Sequence, residues 1–320
     1  MKTFKMFLTE EDKKKEIIFE QFKTFLPMCD HYIQKEISNL KSGRFFIRAM
    51  HLISGNEEFD EDNIKMIGVQ KTVENRIPRD TALWVHRRIG AYFKSKFNLN
   101  YRSDHIAFCQ QSDTDLNLFE KEIYFIMPVG ANYKYCFSPK VSDLTFTIDP
   151  TTGGTNARKV FEKLIKKNSN NYFKKSLDQE TVELASVCFS DLYWTARDAK
   201  IHYLSLEDSL EQFVNVIRGD HYYLSSYSEE VLSEINDEVE DGKSFTETVL
   251  EKLNLKTLDD FRTVMFRIGQ DLMDSFGYIE TVDQSELKPY RNEVMIHCKE
   301  YVAVHRKMKR YLMEYLNENF

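Results

Sequence analysis

The chain has 320 residues and a mass of 38.0 kDa, room for one large or two modest domains. Its 44 Lys and Arg against 51 Asp and Glu give a net charge of −7. That excludes a polycation wrapping nucleic acid by whole-chain charge and leaves space only for a local basic patch. Hydrophobic residues at 42% and aromatics at 13% supply a core, so the chain is not disordered overall. Eleven Gly and six Pro are too few for the repeated tight turns of an all-β sandwich or for a Gly-rich nucleotide fold.

In chain order, Thr9-Glu10-Glu11-Asp12 opens a capping-box-like start. Ile17, Ile18, Phe22, Phe25 and Leu26 then recur at helical spacing, predicting helix over 9–40. Gly43 ends that pattern, and 44–53 reads as a strand rich in aromatic and β-branched side chains. Residues 54–80 read as a long connection. A helix follows from Asp80-Thr81 to Asn98, with Leu83, Trp84, Ile89, Tyr92, Phe93 and Phe97 as its apolar positions. Strands are expected at 102–110, 122–129 and 132–138, and a fourth at 142–149.

After Pro150 and Gly153-Gly154 the character turns helical, with segments near 155–168, 178–190, 205–218, 228–240, 244–253 and 257–276. The last is the clearest. Thr257 caps it, Asp259 and Asp260 favour its positive end, and Gly277 closes it. Leu258, Phe261, Met265, Ile268, Leu272 and Phe276 form one core stripe. A late strand is read over 292–304, before a final helix carrying Val304, Met308, Leu312 and Tyr315. A strand after so much helix has to join the earlier sheet to pair its backbone. The expected organisation is therefore α+β: an N-terminal helical segment 1–43, a first sheet part 44–150, a helical insertion 151–275 and a returning part 276–320.

Cysteines at 29, 109, 136, 188 and 298 include no CxxC pair, which reads as reduced thiols in a cytosol-like compartment. The first sixteen residues lack an apolar leader core, and no apolar run approaches ~18 residues. The expectation is a cytoplasmic protein with no membrane partner. There is no GxxxxGK[ST], HExxH, GxSxG or GxGxxG. The eight histidines never fall at i, i+4, so no metal site is expected. Three features remain. Arg48 stands inside the apolar strand FFIRAM, Arg102 and Ser103 lead into the next strand, and Glu293 enters the late one in RNEVMI. Singly, each is ordinary: an outward-facing Arg or a strand-start carboxylate.

As an ordered set they resemble the mono-ADP-ribosyltransferase superfamily, with Arg on a first strand, a Ser/Thr segment on a second and Glu on a late one. Glu293-Val294-Met295-Ile296 followed by Tyr301-Val302-Ala303-Val304 is similar to the E-V-L-I and aromatic-containing strand of those enzymes. The spans 75–81 and 126–144 resemble phage-encoded proteins of this fold. The likeness covers 44–149 and 276–304, under half of the chain. It implies a small split β-sheet with flanking helices, NAD as substrate, and a host protein or nucleic acid as acceptor in the host cytoplasm. The catalytic residues implied are Glu293, Arg48 and Ser103. Cofactor contacts fall to Arg48, Arg102, Ser103 and Tyr133. Two positions depart from the family pattern. The middle strand has Ala107-Phe108-Cys109 where a Ser-Thr-Ser run is expected, and Arg291 stands where arginine-directed members carry Glu or Gln.

The residue types suit the chemistry. Cleavage of the nicotinamide–ribose bond passes through an oxocarbenium-like state, which a carboxylate stabilises. A guanidinium holds phosphate in bidentate fashion; the resemblance implies that Ser103 orders the other two and that Tyr133 or Tyr135 stacks on nicotinamide. The competing expectation is a non-catalytic structural or host-factor-binding protein that keeps the fold. Two charge runs read as solvated faces: the acidic stretch 229–241, and the basic start of the last helix at His305, Arg306, Lys307, Lys309 and Arg310.

Overall fold

The computed structural model describes residues 10–50, 66–76, 83–110, 122–141, 155–194, 245–287 and 292–320. The strand read at 142–149, the helices at 205–218 and 228–240, the acidic run, Gly153-Gly154 and Arg291 lie outside these residues. The chain divides into two compact units. One comprises Met1–Asn75, Ser103–Pro139 and Ile279–Phe320, and the other Arg76–Arg102 and Lys140–Tyr278. The fold class is α+β.

Among the described residues, every strand lies in the first unit. Helix α1 (Glu10–Phe25) and helix α2 (Asp30–Lys41) are separated by a 3-10 turn at Leu26–Cys29, where 9–40 had read as one helix. Pro27 is the cause: it lacks the N–H that would continue the ladder. The break is used. The Gly130 N–H donates to Met28 O (3.0 Å) and the Cys29 thiol to Met127 O (3.3 Å). Gly130 has φ +71°, a turn conformation that glycine adopts without steric cost.

Strands β1 (Phe46–Met50), β2 (Ile67–Lys71), β4 (Glu122–Pro128) and β8 (Glu300–His305) form one antiparallel sheet, ordered β1-β4-β8-β2. Strands β3 (Ile106–Cys109), β5 (Lys134–Phe137), β6 (Ile279–Thr281) and β7 (Val294–His297) form another, ordered β3-β7-β5-β6. The 292–304 segment is thus two strands, not one. Cys298 and Lys299 turn the chain from the second sheet to the first, held by Cys298 N–H to His105 O (2.9 Å) and by the Thr72 hydroxyl to Lys299 O (2.9 Å). Strand β2 falls within the expected 54–80 connection, and β6 is a further strand. The final helix α8 (Lys309–Asn319) starts after His305, so Val304 is a strand residue paired with Ile67 and Phe125.

Side chains alternate across each strand, which sorts the layers. In β1, Phe46 and Arg48 share one face, and the Phe46 ring meets Tyr135 of the second sheet at 5.2 Å. Tyr135, Ala107 and Ile296 are register partners in that sheet, and Cys109 follows Ala107 by two residues on the same face. The layer between the sheets therefore takes Phe46, Tyr135, Cys109 and Val294, all buried. On the helical side, Phe22 of α1 packs edge-on against Tyr315 of α8, ring centroids 5.5 Å apart.

His305 ends β8 fully buried. Its Nδ1 accepts from the Lys307 N–H (3.1 Å), so the ring is neutral and its Nε2–H donates to Glu122 (2.7 Å). Burial holds the imidazole below its usual range despite the Glu122 charge; burial does the same to His297. The unfolded imidazoles take up protons more readily than the folded ones, so stability is full above about pH 6.5 and falls as pH drops through the depressed folded values. Thermal melts from about pH 7.5 to 5.5 are expected to show a falling midpoint, with a shallower fall in His305→Gln. A flat profile would contradict the assigned tautomer.

The second unit is helical in its described residues: α3 (Leu83–Phe97), α4 (Thr155–Phe173), α5 (Gln179–Trp194), α6 (Phe245–Lys252) and α7 (Leu258–Phe276). Helix α7 follows its local signals. The Asp260 N–H donates to Thr257 Oγ1 (3.1 Å), the Thr257 N–H returns to Asp260 Oδ2 (3.0 Å), and Gly277 closes the helix at φ +64°. Phe261, Met265, Ile268, Leu272 and Phe276 are buried. Thr257→Ala is expected to cost about 1 kcal/mol in urea denaturation; no change would mean that the box is not formed. Phe93 of α3 gathers Tyr101 (5.9 Å) and Tyr278 (5.0 Å) edge-on.

Candidate functional site at the junction of the sheets

Where the sheets meet, β1 touches the end of β3. The Ile47 N–H donates to Gln110 O (2.9 Å) and the Gln110 N–H to Ile47 O (2.8 Å). This two-bond bridge makes Arg48 and Cys109 neighbours across the junction. Cys109 pairs in turn with Val294 on β7, and Glu293 immediately precedes Val294. Three strands that are remote in sequence thus deliver Arg48, Cys109 and Glu293 to one place.

The electrostatics agree with that geometry. The Cys109 thiol is 2% exposed, and its pKa is pushed up to about 12 by burial, with Arg48 pulling it down and the Glu293 carboxylate pushing it further up. Cation and carboxylate therefore act on the same sulfur from the strands on either side. Cys298, also buried, is raised by burial and opposed by Arg48. Tyr301 is pushed up to about 12 by burial, again opposed by Arg48. Both thiols are neutral at pH 7, so neither is a nucleophile.

Arg48 itself is half-buried. Its guanidinium lies 5.9 Å from the Tyr301 ring centroid, within cation–π range, and the Tyr301 hydroxyl faces Met50 Sδ at 3.7 Å. Glu293 is half-buried too, on a segment whose preceding Asn292 amide donates to Ser138 O. A guanidinium over an aromatic face with a carboxylate nearby can hold a phosphate and a sugar hydroxyl together.

The remaining expected site residues are elsewhere. Ser103 is 7% exposed and donates to its neighbour Asp104 (3.2 Å). It precedes the start of β3, where Ile106 pairs with His297, whereas Cys109 and Glu293 sit at the other end of that strand pair. Arg48 and Glu293 each lie close enough to Cys109 to bear on its thiol, and Ser103 precedes the opposite end of β3. Arg102 belongs to the second unit; it is buried, and its backbone N–H donates to Asn100 Oδ1 (3.0 Å). Tyr133 is buried under α2, its ring against Tyr32 (5.8 Å), Tyr135 (5.6 Å) and the Lys35 ammonium (5.7 Å).

Neither Cys109 nor Tyr301 is among the site residues that the sequence points to. The Ile47–Gln110 bridge brings Cys109 to Arg48, and the pairing of β1 with β4 and of β4 with β8 brings Tyr301. Among the described residues, the four described cysteines are free thiols, no group of three or more His, Cys, Asp or Glu is arranged to hold a metal ion, and no helix is long and apolar enough to cross a membrane. No family model, curated protein or solved structure matches this chain.

Proposed function

We propose that the protein is an NAD-dependent mono-ADP-ribosyltransferase-like enzyme acting on a host macromolecule. The observation that supports this reading is the placement of Arg48 and Glu293 about buried Cys109 at the sheet junction, where both charges bear on its thiol. Arg48 binds a phosphate of NAD through its planar guanidinium. Glu293 accepts a hydrogen bond from a ribose hydroxyl and stabilises the positive charge that develops as the bond to nicotinamide breaks. The bonding pair leaves with nicotinamide, an acceptor lone pair takes its place on the ribose carbon, and the acceptor's proton is released. The neutral thiols and Tyr301 line Arg48 with low-dielectric surface, which strengthens its hold on an anion.

The second reading is a non-catalytic protein that keeps the fold and binds a structural or host partner. The placement of Ser103 beyond the far end of β3 favours it. Incubation of the purified chain with NAD separates the two. The transferase reading expects time-dependent release of nicotinamide and labelling of a nucleic acid or protein from a host lysate. Absence of both at saturating NAD would leave the second reading.

A further inference from the structure

We infer that the exposed lysine face of α4 is a nucleic-acid-binding surface that grips the phosphate backbone without reading sequence. Residues 159–175 carry six lysines against one glutamate, a strongly positive segment within a chain of net charge −7. Lys159, Lys163, Lys166 and Lys167 are all exposed. At 3.6 residues per turn they fall within about 100° of arc and span about 12 Å of helix. Phe161, Ile165 and Tyr172 take the opposite side and are buried. The apolar side alone anchors the helix, so the lysines are not needed for packing.

A face that is merely solvated usually alternates sign at i, i+4, because such pairs support the helix. Here Lys159–Lys163 and Lys163–Lys167 are like-charge i, i+4 pairs, which oppose it. The lone Glu162 accepts from the Gln179 amide (2.9 Å), and Lys166 donates to the neutral Gln179 Oε1 (3.2 Å). Among the described residues, no carboxylate lies within ion-pairing distance of these four lysines. Beyond them, exposed Asn170 and Asn171 add amide groups, and Arg267 of α7 reaches Asn171 O (3.4 Å). Lys174 and Lys175 carry the charge past the helix end.

The chemistry of this face selects the partner. Lysines are point charges that suit phosphate, and amides supply the further backbone contacts typical of such interfaces. The arc exposes no large apolar side chain, so nothing on it inserts into a lipid surface. Its regular charge spacing suits the continuous charge lattice of a nucleic acid better than the irregular carboxylates of a protein. This surface stands apart from the NAD reading and survives its failure.

The test is fluorescence anisotropy of a labelled DNA duplex with the full chain, titrated between about 50 and 200 mM salt. Four phosphate contacts predict a slope of log affinity on log salt of about −3.6, a loss on the order of 10²-fold over that range. A variant carrying Lys159→Gln, Lys163→Gln, Lys166→Gln and Lys167→Gln is expected to bind more than ~10-fold more weakly with a nearly flat slope, and the corresponding Lys→Arg set to bind like wild type. A variant carrying Arg306→Gln, Lys307→Gln and Lys309→Gln is expected to bind like wild type, as is wild type on a duplex of shuffled sequence. Undiminished binding by the glutamine variant, a flat slope for wild type, or loss confined to the Arg306 set would overturn the assignment. So would polyglutamate or anionic vesicles competing as well as DNA per unit charge.

Discussion

Glu293→Gln is expected to lower nicotinamide release from NAD by at least about 10²-fold while leaving the thermal midpoint unchanged. The substitution keeps the shape of a half-buried side chain that precedes β7 and removes its charge. The strand contacts that follow it, Val294 against Cys109 and Phe137, are untouched. The cost should therefore fall on turnover and not on folding. Loss of a group that acts only as charge develops lowers kcat and kcat/KM together. A variant that turns over NAD like wild type would remove Glu293 from the reaction. A variant that melts much earlier would assign it a structural role.

Phe46→Ala is expected to produce the largest loss of stability, about 3–5 kcal/mol. The ring has no exposure and fills the layer between the sheets against Tyr135. The cavity left would open two residues from Arg48, on the same face of β1. Proteins of this size are stable by only about 5–15 kcal/mol, so the change consumes a large share. Urea denaturation followed by circular dichroism measures it. A cost under about 1 kcal/mol would mean that the two sheets do not pack through this ring.

The sequence pattern was legible where structure is local. Helix α7 carried its own start and stop, Thr257 and Gly277, and both behave as capping chemistry dictates. Strands β1, β4 and β5 stood out because aromatic and β-branched residues cluster between breakers. Strand β2 did not. Gly68, Gln70 and Lys71 dilute its pattern, and its pairing with β8 is a long-range event. The turn at Cys298-Lys299 contains neither Gly nor Pro, so the change of sheet there depends on partners 185 to 237 residues away, a separation no local rule spans. The helical reading of 9–40 ran through Pro27, although its missing N–H is a local break signal.

The site shows the same division. Arg48 and Glu293 drew notice only as members of an ordered set, and their placement about Cys109 depends on the Ile47–Gln110 bridge and the β3–β7 register. Ser103 was chosen by its order in the chain, and register puts it at the wrong end of β3 for a role beside Glu293. The −7 net charge concealed the α4 lysines for a simpler reason: a sum erases segregation.

Calorimetric titration of NAD into the wild-type chain, Arg48→Ala and Ser103→Ala decides whether the sheet junction holds NAD through Arg48. Wild type is expected to bind, Arg48→Ala to lose about 10- to 100-fold as a charged hydrogen bond disappears, and Ser103→Ala to bind unchanged. Equal binding by wild type and Arg48→Ala, or no binding by wild type at all, would contradict that reading.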